Sequence, residues 1–131
     1  LEFRDPNLVP IEIAMRVCVR GGVPRDAVLE RLMRLFSDRR LPDGTPALFH
    51  PDNLGFGTAL RLSRLYAAAQ TVDGVSHVEI TSLRRQGVPS DNAAALADGT
   101  LGIGPYEIPI LANDPNFPDR GVVHFTMEGG L

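Results

Sequence analysis

Between Val9 and Val19 the side chains alternate: Ile11, Ile13, Met15, Val17 and Val19 share one parity, and Glu12, Ala14, Arg16 and Cys18 share the other. A period of two sends successive side chains to opposite faces, so this stretch predicts a strand with one buried face. Gly21-Gly22 ends it, and Pro24 suits the first turn of a helix. Val28, Leu29, Leu32, Met33, Leu35 and Phe36 then recur at helical spacing through Ser37, which predicts a helix packed on the sheet. Its other side, with Arg25, Asp26, Glu30, Arg31 and Arg34, reads as a solvated face carrying weak ion pairs. The run Arg39 to Gly44 has turn residues and no period, which marks a surface connection.

The next stretch, Leu48 to Ile80, compresses a loop, a strand, a helix and a second strand into one unit. Phe49, Pro51, Gly55, Phe56 and Gly57 form a structural loop. The proline stops any helix, the glycines let the backbone turn, and burial of Phe49 or Phe56 is expected to hold its shape. Leu60 and Leu62 alternate with Arg61 and Ser63, predicting a half-buried strand. Ser63 is then expected to cap a helix carrying Leu65, Tyr66 and Ala69, with Gly74 supplying a left-handed stop. Val75 opens a strand with Val78, Ile80 and Leu83 inside and His77, Glu79 and Thr81 outside.

From Arg84 to Gly104 the pattern dissolves, predicting a long mobile connection with at most a helical turn around Ala93 to Leu96. Glu107 to Leu111 reads as a short strand that Pro109 assigns to an edge or bulge, and Asn113 to Pro118 as a rigid turn. In the last strand, Val122 to Met127, Val123, Phe125 and Met127 alternate with His124 and Thr126. The order of elements predicts an α+β fold: a two-layer mixed sheet with two helices on one face, ferredoxin-like or related.

At 131 residues the chain suits one domain, residues 1–131, with a single core. A net charge of -3 gives no general attraction to phosphate backbones, so neither nucleic acid nor an anionic membrane is expected as a partner. Cys18 is the sole cysteine, which excludes an intrachain disulfide and suits a small strand residue in a reducing compartment. No apolar run approaches the roughly 20 residues of a membrane span, and a soluble domain is expected. Because the sequence opens with Leu1 and enters a strand almost at once, a domain from a longer protein, continuing upstream, is expected.

Candidate chemistry is sparse. His50, Asp52, His77 and His124 are the residues from which a metal or acid–base site could be assembled, but their spacing matches no ligand motif. Asp114 to Asp119 resembles a calcium loop in its oxygen side chains yet lacks the glycine and the distal glutamate. Gly55-Phe56-Gly57 is followed by neither a GK pair nor a GxGxxG run, so it is no phosphate cradle. Ser63 has no base at a recognisable spacing, and Phe49, Phe56 and Tyr66 suit anchoring in a core better than a ligand box. No catalytic residue, cofactor or metal is therefore expected, and the protein is expected not to be an enzyme.

The motifs RDPNLVPIEIAMRVCV, FHPDNLGFG, LRLSRLYAAAQTVDGVSHVEI, LRRQG and GPYEIPILANDPNFPDRGVVHFTMEGGL follow one another through nearly the whole chain. In order and spacing they resemble the C-terminal region of baseplate assembly proteins of the baseplate J-like family, found in contractile phage tails and related contractile injection systems. The resemblance implies a structural protein of virion or injection-apparatus assembly: a wedge component made in the cytoplasm, placed in several copies around a central hub. It implies protein–protein contacts with other baseplate subunits, and with unpaired strand edges it predicts a weak homodimer. It carries over no catalytic residue. The alternative is a stand-alone ferredoxin-like domain binding or converting a small molecule at the His50/Asp52 loop.

Overall fold

The computed structural model describes residues 7–54, 57, 59–89 and 91–131. In chain order its elements are β1 (Asn7–Val19), α1 (Arg25–Leu35), β2 (Leu60–Arg61), α2 (Leu62–Gln70), β3 (Val75–Arg85), α3 (Asp91–Asp98), β4 (Thr100–Leu101), β5 (Glu107–Ile110) and β6 (Val122–Gly129), with a 3-10 turn at Pro118–Arg120. The chain is organised around β1. Val9, Ile11, Ile13, Met15, Val17 and Val19 are all buried, while the residues between them are half-buried or exposed. Full burial of each such side chain contributes about 1.5–3 kcal/mol, so this face fixes the register of the strand.

Antiparallel β3 lies on one side of β1, from Ile11 opposite Arg85 to Val19 opposite Val75. Two strands share the other side, both parallel to β1: β5 beside Asn7 to Pro10, then β6 from Glu12 opposite Val122 to Val19 opposite Gly129. The sheet is mixed: among the described strands, three lie side by side from Glu12 to Val19, and β1 and β5 alone at Asn7 to Val9. Val28, Leu32 and Phe36 at α1, Leu65 and Ala69 of α2, and Ala95 of α3 join the odd-numbered residues of β1 in one core. The helices therefore cover one face, giving the two-layer α+β arrangement expected, with a third helix added. A separate two-stranded ladder pairs Leu60 with Leu101 and Arg61 with Thr100.

Several boundaries move. The stretch from Leu60 forms only the two residues of β2 before α2 begins at Leu62. Arg61 is the N-cap residue, so Ser63 lies within the first helical turn, past the cap position it was expected to fill. The region beyond Arg84 is also not a structureless connection. β3 runs to Arg85, and α3 packs on it with Ala95 1 % exposed. The Asn92 side chain accepts a hydrogen bond from the Leu83 N–H at 2.7 Å, and Arg85 grips Glu107 with both terminal nitrogens at 2.9 and 3.0 Å. Small alanines carry little apolar signal, so this helix depends on tertiary contacts.

Buried residues along β3 fall at Val75, Val78, Ile80 and Leu83 rather than at every second position. The register with β1 shifts between Ala14 and Met15 and again between Cys18 and Val19, so β3 carries two bulges. Gly74 joins α2 to β3 at a φ of 96°, and its carbonyl accepts from the Arg20 N–H at 2.9 Å.

Candidate functional site

The loop singled out in the sequence is anchored at its start. Phe49 is 3 % exposed, its N–H donates to the Ser37 carbonyl at 3.0 Å, and the Asn53 amide donates to the Ala47 carbonyl at 2.7 Å. Pro51 is exposed, and Gly57 takes a φ of 67° and donates to the Glu107 carbonyl at 3.0 Å. Gly55 and Phe56 lie outside the described residues.

His50 and Asp52 do meet, but the contact builds a turn. The Asp52 N–H donates to His50 Nδ1 at 3.0 Å, while Arg40 reaches the Asp52 carboxylate at 3.2 Å. That ring nitrogen is thereby occupied by the backbone. A groove of about 560 Å³ lies elsewhere, between α1 and Asn113 to Asn116, and another of about 370 Å³ between Arg31, Arg34, Leu41 and Thr71 to Asp73. Neither is lined by His50 or Asp52. Among the described residues no group of three or more His, Cys, Asp or Glu side chains is placed to hold a metal ion. In the Asp114 to Asp119 turn, the Asp114 carboxylate accepts from the Asn116 N–H at 2.9 Å and Arg120 stacks over Phe117 at 4.8 Å, so its oxygens and charges hold its own shape.

His77 and His124 are far apart in role from that loop: both stand on the sheet face opposite the described helices, where β1 contributes Glu12, Ala14, Arg16 and Cys18. This face is laced by cross-strand ion pairs. Arg84 pairs with Glu12, and Arg16 lies between Glu79 of β3 at 3.4 Å and Glu128 of β6 at 3.3 Å. The Arg16 pairs are about half exposed, so they set register more than they stabilise. Sequence reasoning missed this ladder because opposite charges on different strands become neighbours only once register is known. At the far end of the sheet, the Arg85 guanidinium and then the Gly104 N–H hold the Glu107 carboxyl below its usual pKa.

The two outer edges of the sheet differ. Along β3 the Ile80 N–H donates to the Tyr66 hydroxyl at 2.8 Å and the Leu83 N–H to Asn92, and two bulges interrupt the ladder. Side chains from α2 and α3 thus occupy an edge that would otherwise template a foreign strand. Along β6 the Val123 N–H donates to the Asn113 side chain at 3.2 Å, and among the described residues no strand pairs with its outer side. Phe125 and Met127, half-buried, border that edge on the helix face, with Phe125 edge-on to Phe36 at 6.0 Å. No helix among the described residues is long and apolar enough to cross a membrane. The chain matches no protein-family model, no curated protein and no solved structure.

Proposed function

We propose that this chain is an assembly module, a structural wedge component of the baseplate of a contractile tail or injection apparatus, acting through contacts with other baseplate subunits. The observation that carries this reading is the asymmetry of the sheet edges: side chains block β3, while among the described residues no strand pairs with the outer side of β6. The order of motifs through nearly the whole chain, which resembles the baseplate J-like family, names the kind of assembly. Arg40, His50 and Asp52 are engaged with one another and with the backbone, so their residue types are accounted for by a turn.

The reading is tested by raising an antibody against the domain and imaging tail particles from the producing bacterium with gold-labelled antibody. Gold clustered at the baseplate end is the expected result. Particles that carry no label, with the antigen entirely in the free protein fraction, would overturn it.

A further inference from the structure

The geometry points to a second copy of this chain as the occupant of the β6 edge, paired antiparallel about a two-fold axis at Thr126. The inference rests on the assembly reading and names one of its contacts. The Val123 N–H points away from β1 to the Asn113 side chain. Backbone groups alternate in direction along a strand, so those of Phe125 and Met127 point outward as well. An incoming antiparallel strand must therefore bond to odd-numbered residues of β6. This restricts self-pairing to registers in which odd faces odd.

One such register makes the sequence of β6 self-complementary. With Thr126 opposite the partner's Thr126, Phe125 faces the partner's Met127 and Met127 the partner's Phe125, each pair exchanging two backbone hydrogen bonds. His124 then faces the partner's Glu128, and Glu128 the partner's His124, setting a ring N–H against a carboxylate twice over. Thr–Thr, aromatic–apolar and donor–acceptor pairs are all favourable across antiparallel strands. Shifting the register by two residues in either direction removes both His124–Glu128 pairs. The match spans His124 to Glu128, between Asn113 at one end and, at the other, the tail, where Leu131 bonds back to the Val23 carbonyl. The β3 edge, with Tyr66 and Asn92 on its N–H groups, offers no equivalent.

Thr126 is exposed on the bare face of the sheet, so its replacement leaves the core intact. In a Cys18→Ser background, Thr126→Cys would stand opposite itself across the axis, at the Cα separation of about 4.5 Å that a disulfide can span. Mild oxidation of the 131-residue chain should convert it to covalent dimer far faster than Glu79→Cys on the blocked β3 edge. Light scattering of the unsubstituted chain should show mass rising toward dimer with concentration. His124→Glu, which sets carboxylate against carboxylate twice, should raise the dissociation constant about tenfold, and adding Glu128→His should restore it. A monomer at every concentration, equal cross-linking at residues 79 and 126, or a dimer indifferent to His124→Glu would each overturn β6 self-pairing. Gold label at the baseplate would stand despite any of these, leaving a strand from another subunit as the occupant.

Discussion

Replacing Gly74 with alanine should destabilise the protein by about 1–4.5 kcal/mol, and the magnitude follows from two separate costs and one offset. Gly74 has a φ of 96°, where a Cβ costs about 1–2 kcal/mol in backbone strain. That Cβ would also stand 2.8 Å from methyl groups of both Val23 and Val28. Val28 is fully buried between α1 and the sheet, so the overpacking adds about 1–3 kcal/mol. Reduced freedom of the unfolded chain offsets about 0.4–1 kcal/mol of this. Urea denaturation followed by circular dichroism should show a lower midpoint with an unchanged slope. Val28→Ala isolates the steric part. Alone it should cost about 2 kcal/mol, but in the Gly74→Ala background it should cost about 1 kcal/mol less, because it removes one of the two clashes. A loss under about 0.5 kcal/mol for Gly74→Ala, or strict additivity of the pair, would refute the reasoning.

Phe49→Ala should cost about 3–5 kcal/mol, because the ring is buried and anchors the start of the 49–57 loop; an unchanged melting temperature would show that the loop is held otherwise. Tyr66→Phe should cost about 1 kcal/mol and speed hydrogen exchange at the Ile80 amide, which loses its acceptor; unchanged exchange there would remove Tyr66 from the edge. Glu107 titrates below its ordinary value of 4.5 in the fold, so its contribution is complete above that pH and is lost as pH falls through the lowered value. Melting temperature between about pH 6 and pH 3 should therefore fall more steeply for the wild type than for Glu107→Gln, the two curves converging in acid; parallel curves would count against the Arg85–Glu107 clamp.

Strands and helices with strong local periods were legible in the chain itself. The alternation from Val9 to Val19 and the stripe of Val28, Leu32 and Phe36 bury the faces that their spacing assigned, because one-sided burial forces a period of two or of 3.6. The positive φ of Gly74 was legible too, since only glycine takes that conformation cheaply, but the helix already ends at Gln70 with Thr71 as its cap, so the glycine turns the chain into β3 instead of stopping the helix. What tertiary structure decided was everything carried by partners distant in sequence. The bulges of β3 break its period because Ser76 and Thr81 are extra residues against β1, and no local pattern separates a bulge from an interrupted strand. The helix from Asp91 to Asp98 has few large apolar residues, and its packing on β3, with Asn92 bonded to Leu83, supplies what its sequence lacks. The ladder of Glu79, Arg16 and Glu128, and the open outer side of β6 opposite a blocked β3 edge, likewise exist only after three strands have found their register. A strand edge is a property of the sheet, not of the strand, so the outer side of β6, which no described strand pairs, could be recognised only once the fold had set which strands lie together.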